Sequence, residues 1–211
     1  MTEMPGITVD VRTFAPISAI DTCSIWNVLS SPLLLRTALR KGRSFAVAGF
    51  VHYEALVKPR TKPTAAELAM QGELRQRLAD GQGFTEAPMA VDDLQAVATI
   101  PEVRKLGRGE IAALALARKL RSAILTEDRG ARKAAPKIGV GQAQTTPQLL
   151  GWLLYEGELT DGDVTVIISE HEARIEENRG RLTVYLRRSH AEAYRCRLLR
   201  DRAVAGDTQP T

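Results

Sequence analysis

Four acids in this chain stand where a carboxylate could do chemistry: Asp21, Glu54, Glu110 and Asp128. Asp21 ends the apolar run "FAPISAID", which reads as a first strand. Glu54 falls one to two helical turns after "SFAVAG", a second strand. Glu110 opens "GRGEIAALALARKLR", which has almost no polar residue between Glu110 and Arg118 and so predicts a helix buried against a sheet. Asp128 follows the short apolar strand "SAILT". If those strands are parallel, Asp21 and Asp128 leave the sheet at one edge. Two charges roughly 4 Å apart repel by about 4 kcal/mol at an effective dielectric near 20. A hard divalent cation with oxygen ligands, Mg²⁺ or Mn²⁺, offsets such repulsion, and one of its waters can become a nucleophile.

Taken singly, each acid also has a purely structural reading. Asp21 can cap the helix that starts at Thr22. Glu54 can be a surface helix residue. Glu110 can balance a helix dipole. Asp128 can cap the short basic helix "DRGARKAAPKIG". Only the set of four, spread over strand ends and one buried helix start, points to a shared pocket. Thr126 is placed to hydrogen-bond one of these carboxylates.

Cations stand beside three of the four acids. Lys58, Arg60 and Lys62 follow Glu54. Arg104, Lys105 and Arg108 precede Glu110. Arg129, Arg132 and Lys133 follow Asp128. Positive charge beside an acidic pocket suits a polyanion, because phosphate contacts supply most non-specific nucleic-acid affinity. Aromatic residues make up only 5 % of the chain, which argues for tracking a backbone rather than stacking bases on an aromatic platform. The three histidines have no metal-ligand spacing, and no Walker-type loop is present.

The elements that must position these residues alternate. Strands at "FAPISAID", "SFAVAG", "FTEAPMA", "SAILT" and "QAQTT" are separated by helical patterns, which predicts an α/β fold with a parallel sheet flanked by helices on both faces. The segment from Asp161 reads as two further helices, a C-terminal extension. The expected organisation is a lead-in over 1–13, a domain over 14–160, and a helical extension with a loose tail over 161–211. The chain has 211 residues, enough to bury a core of its own. No apolar run approaches the roughly 20 residues of a membrane helix. No secretory signal is visible, and two cysteines make no disulfide framework, so the expected compartment is the cytoplasm. The apolar cluster Leu149, Leu150, Trp152, Leu153, Leu154 and Tyr155 is read as a homodimer surface.

The stretches "SAIDTCSIWNVL", "VHYEAL", "LGRGEIAALALARKL" and "AILTEDRGARKAAPKIGV" resemble the successive motifs of PIN domains. Order and spacing match from about residue 17 to about residue 160. The G-x-G-E form, Gly107 to Glu110, and the T-x-D-x-G-x-R form, Thr126 to Arg132, are similar to a bacterial and archaeal branch of predicted nucleases that includes the VapC-like proteins. The resemblance implies a PIN-like fold and a metal-dependent ribonuclease. Mg²⁺ or Mn²⁺ would be held by Asp21, Glu54, Glu110 and Asp128, with Thr126 and Ser24 in support. The implied RNA contacts are Lys58, Arg60, Arg108, Arg129, Arg132 and Lys133. Such proteins are often toxins held by a cognate antitoxin. The chain departs from the pattern at Glu110, where many members carry Asp, and at Cys23, where Ser or Asn is usual. Glu127 is an extra acid; neighbours at a strand end point apart, so Asp128 alone is expected in the pocket. Two other readings stay open: a non-catalytic PIN-like module that binds nucleic acid or protein, and a structure-selective DNA nuclease.

Overall fold

A computed structural model describes residues 10–175 and 181–206. The order of elements is β1 (Ile17–Ile20), α1 (Thr22–Leu29), α2 (Pro32–Arg40), β2 (Ser44–Ala48), α3 (Gly49–His52), α4 (Ala65–Asp80), β3 (Phe84–Ala87), α5 (Val91–Ala98), α6 (Arg108–Leu120), β4 (Ala123–Leu125), α7 (Arg129–Ala134), β5 (Ala143–Gln144), α8 (Thr146–Tyr155), α9 (Asp161–Arg174) and α10 (Arg181–Gly206). A π-helical turn, Tyr53–Val57, continues α3, and a 3₁₀ turn, Ala135–Ile138, continues α7.

The five strands form one sheet in the order β3-β2-β1-β4-β5, and every pairing is parallel. The fold is α/β, with helices on both faces, as the alternating pattern predicts. Ile20 of β1 is level with Val47 of β2 and Leu125 of β4. The residues that follow these strands therefore emerge side by side. Chain order reverses between β1 and β4, since β1 leads to β2 on one side while β4 sits on the other. Such a switch point opens a crevice at the carboxyl edge of the sheet.

Local chemistry fixes the helix ends. Ser31 caps α2, accepting from Leu34 N at 3.2 Å, with Pro32 in the first turn. Thr64 and Glu67 form a reciprocal capping box on α4, and Gly81 ends that helix in the left-handed region at φ 65°. In α6, Ala112 to Ala117 are all buried, and the helix packs against β1, β2 and β4. Its small side chains let it lie close to the sheet.

The apolar cluster on α8 is covered within the chain. Leu149, Leu150, Leu153 and Leu154 are fully buried and Trp152 nearly so, because α10 lies along α8. That corrects the reading of this cluster as a dimer surface: a helix more than 25 residues downstream already takes it. Part of the expected lead-in is also packed. Val11 is fully buried, and Phe14 stacks on Trp152 at 5.9 Å. The α9–α10 connection, 176–180, and the expected loose tail beyond 206 lie outside the described residues. Among the described residues no helix is long and apolar enough to cross a membrane.

Candidate metal centre

Asp21 follows β1 directly and is 3 % exposed. One carboxylate oxygen caps α1, accepting from Ser24 N at 2.7 Å. The other accepts from the hydroxyl of Thr126, which follows β4. Thr126 Oγ1 in turn accepts from Asp128 N at 3.1 Å. So Thr126 ties the first acid to the last. Burial pushes the Asp21 pKa up; the bonds from Thr126 and Ser24 pull it down, and the Asp128 charge pushes it up again.

Asp128 caps α7, with Oδ1 accepting from Ala131 N at 2.7 Å. Its structural role is therefore real, and its other carboxylate oxygen remains. Glu54 sits in the π-helical turn, a device often found at functional sites. Its Oε2 accepts from Thr22 Oγ1 at 2.8 Å. Glu110 stands in the first turn of α6. Burial raises its pKa, and the charges of Asp21, Asp128 and Glu54 add to the rise. The four acids thus lie within electrostatic reach of one another.

Two glycines make the room. A Cβ at Gly109 would stand 2.3 Å from Glu54 Oε2, and one at Gly107 would stand 2.2 Å from Glu110 Oε2. The G-x-G-E form has a steric meaning: its glycines leave the space that two carboxylates fill. A cleft of about 430 Å³ opens there, lined by Thr22, Cys23, Glu54, Lys58, Arg60 and Glu110 among others. Asp21 and Asp128 lie just outside that lining. The Cys23 thiol is pushed up to about 11, first by burial and then by Asp21, Glu110, Glu127 and Glu54.

The donor set, oxygen-only and rich in carboxylates, fits a hard divalent cation. The carboxylates ring the site without closing on a common point: among the described residues no group of three or more His, Cys, Asp or Glu converges as a ready-made cage. Hydrogen bonds to Asp21, Asp128 and Glu54 hold them apart, as mutual repulsion favours. Gathering them around an ion requires the side chains to turn inward.

Glu127 turns to the start of α8. Its Oε1 accepts from Thr146 N at 2.6 Å, at the first turn of α8. Yet its charge raises the pKa of Cys23, and the charge of Asp21 raises its own. It belongs to the field of the site as well as to the α8 terminus. Ser24 contributes its backbone N–H; its hydroxyl is buried with no hydrogen-bond partner among the described residues.

The expected RNA contacts divide in two. Lys58, Arg108, Arg129 and Lys133 are exposed. Arg60 is held by Glu67 at 2.7 Å and lies over Trp26 at 4.8 Å. Arg132 donates to Thr126 O at 3.1 Å and so steadies the turn that carries Asp128. These two serve the frame at least as much as any ligand. Thr22, Gly107 and Gly109 are the site residues that sequence reasoning passed over, and the glycines were in plain view within the motif. No protein-family model matches the chain, and no curated protein matches it.

Proposed function

We propose that the chain is a metal-dependent nuclease that hydrolyses RNA phosphodiester bonds through Mg²⁺ or Mn²⁺. The observation that carries this reading is the meeting of Asp21, Glu54, Glu110 and Asp128 at the switch point of a parallel sheet, where Asp21 and Glu110 are raised by burial and by their neighbours' charge. Crowded carboxylates without a counter-cation are costly, and a functional site is the usual reason to keep them. The resemblance to PIN domains points the same way and supplies the preference for RNA.

Asp21, Glu54, Glu110 and Asp128 would hold the ion. When bound, the ion supplies a hydroxide at neutral pH and stabilises charge on the scissile phosphate. The protein does the rest. Thr126 fixes the rotamer of Asp21, Thr22 fixes Glu54, and Arg132 fixes the Thr126 turn. Lys58 lines the cleft and holds the polyanion near the acids. A VapC-like toxin with its antitoxin is the cellular role this reading favours. A small DNA-binding protein encoded in the adjacent reading frame is the expected companion.

One observation favours the rival, a non-catalytic module: the carboxylates do not converge. The test is cleavage of a mixed RNA pool with Mn²⁺ and with chelator, by wild type, Asp21→Asn and Glu54→Gln. The nuclease reading expects cutting that needs the metal and is lost in both variants. Cutting by either variant at the wild-type rate would falsify the catalytic assignment.

A further inference from the structure

The chain carries 29 Lys and Arg against 25 Asp and Glu. Residues 182–203, within α10, hold six of those cations and two of the acids, which leaves 23 of each elsewhere. The whole formal excess of positive charge therefore resides in one helix. All six cations are Arg; there is no Lys.

The helix divides them by face. Leu182, Leu186, Ser189 and Ala193 are buried against the domain. On the opposite side Arg188, Arg195 and Arg202 recur every seven residues, and all three are exposed. At 1.5 Å per residue that line is about 21 Å long, and seven-residue spacing keeps it nearly straight. Arg187 stands beside it, exposed as well. Arg195 is paired with Glu192 at 2.6 Å, and Arg197, nearer the buried face, with Asp161 at 3.0 Å. Arg187, Arg188 and Arg202 make no ion pair among the described residues.

We infer that this outward face of α10 is an RNA-binding ridge, which takes the phosphates of a single strand on Arg188, Arg195 and Arg202. Guanidinium groups grip phosphate with two parallel hydrogen bonds, and an all-Arg face suits that use better than a merely solvated one. The exposed apolar residues on this side, Val184, Tyr194, Leu198 and Leu199, do not compete with it. The arginine line splits them, so no continuous apolar seam remains for an amphipathic helix or for a bilayer. A second copy would set arginine against arginine.

The ridge also begins in the right place. Ser189 Oγ donates to Pro147 O, and the adjacent Thr146 N is bound by Glu127 at the edge of the acidic site. The first half of α10 thus lies toward the carboxyl edge of the sheet, and the ridge leads away from it. The choice of RNA over DNA rests on the nuclease reading; the ridge does not.

The test is fluorescence anisotropy with a labelled single-stranded RNA of mixed sequence, in chelator, over a range of salt. The full-length triple variant Arg188→Gln, Arg195→Gln, Arg202→Gln is compared with wild type and with the triple Lys variant. Loss of three contacts lowers the slope of log affinity against log salt by about two and weakens binding on the order of 100-fold at about 0.1 M salt. The Lys variant keeps the slope. Unchanged affinity and slope in the Gln variant overturn the inference. So does a Gln variant that loses poly-glutamate or anionic vesicles while keeping RNA, since the ridge then serves an acidic protein or a lipid surface; so does loss confined to duplex DNA. A melting temperature equal to wild type shows that the Gln variant is folded; if it falls, Arg195→Gln alone must lower the slope by about 0.7. Binding through the ridge without any Mn²⁺-dependent cutting sinks the nuclease reading and leaves this one standing.

Discussion

A methyl group added at Gly109 and one added at Gly151 both collide, and for different reasons. At Gly109 an added Cβ meets the tip of a flexible side chain, Glu54 Oε2, at 2.3 Å. At Gly151 it meets Ser189 Oγ at 2.3 Å, Val11 Cγ1 at 2.4 Å and the Ser189 backbone oxygen at 3.2 Å. The first obstacle can swing aside. The second is a helix locked in place by its own packing. The cleft glycine guards the position of the Glu54 carboxylate; the seam glycine guards the fold. One steric symptom separates into chemistry and architecture according to what stands opposite.

The largest effect is expected at the seam. Gly151→Val should destabilise the protein by about 3 kcal/mol, the upper range for overpacking a core, with α10 lifting from α8. Thermal melting measures it. A melting temperature within a degree or so of wild type would erase the contrast with Gly109.

Gly109→Ala should do the reverse. The position lies in the first turn of α6 with ordinary helical φ, so Ala is no worse there than Gly and stability should hold or rise slightly. On the proposed nuclease reading, RNA cleavage should drop roughly 100-fold, because a displacement of about 1 Å in a catalytic group costs that much. Equal loss of stability and cleavage would make Gly109 another packing glycine.

His171 sharpens the comparison from a third contact, between α9 and α1. It is 2 % exposed. Ser30 donates its hydroxyl hydrogen to Asn27 O at 2.7 Å, so His171 Nδ1–H donates to Ser30 Oγ at 2.7 Å, and Nε2 is left buried without a partner among the described residues. Burial lowers its pKa; the neighbouring Glu172 charge opposes that only in part. Glu170 on the same helix is engaged by Ser31 Oγ and Leu33 N, and Arg174 by Leu29 O. A base with a depressed folded pKa gives stability that is complete above its unfolded value, near 6.5, and is lost as pH falls toward the folded one. The expected loss is up to about 1.4 kcal/mol per pH unit in that window. His171→Gln should flatten the pH dependence of melting between about pH 5 and about pH 7. An unaltered profile would remove His171 as its source.

The smallest expected effect is a labelling difference that costs no stability. Cys23 lines the cleft, with its thiol raised to about 11. At about pH 8 it should alkylate roughly tenfold slower than a free thiol, since the loss of thiolate is partly offset by the greater nucleophilicity of a more basic sulfur. Cys196, half-buried on α10, reports on the seam instead. Gly151→Val should speed Cys196 and leave Cys23 slow. Parallel acceleration of both would mean that cleft and seam open as one unit.

Much of this arrangement was legible in the sequence. The strand runs, the caps at Ser31 and Thr64 and the stop at Gly81 all carry local signals, and Asp21, Thr126 and Asp128 fall at strand ends that parallel pairing brings level. Glu127 was expected to point away from the pocket, and it engages the start of α8. Nothing in "FVHYEALVKPR" distinguishes a π turn from an α turn, because the extra residue is a matter of backbone spacing rather than residue type. The α8 cluster was read as a dimer surface because an apolar helix announces that it will be covered, but not by what.

The turn at Tyr53–Val57 has a consequence for the spacing of charge. A π turn is one residue longer than the α turn it replaces. This one ends at Val57, and residues 58–64 run on outside any helix. Removing one residue just beyond Glu54, at Val57, would restore the α repeat within the turn. Lys58 and Arg60 would then be drawn toward the turn by one residue of chain, at most about 3.6 Å. The acid would keep its bond to Thr22 while the two cations beside it moved. A single-residue deletion thus alters the spacing between the acid of this site and its neighbouring positive charge without touching either.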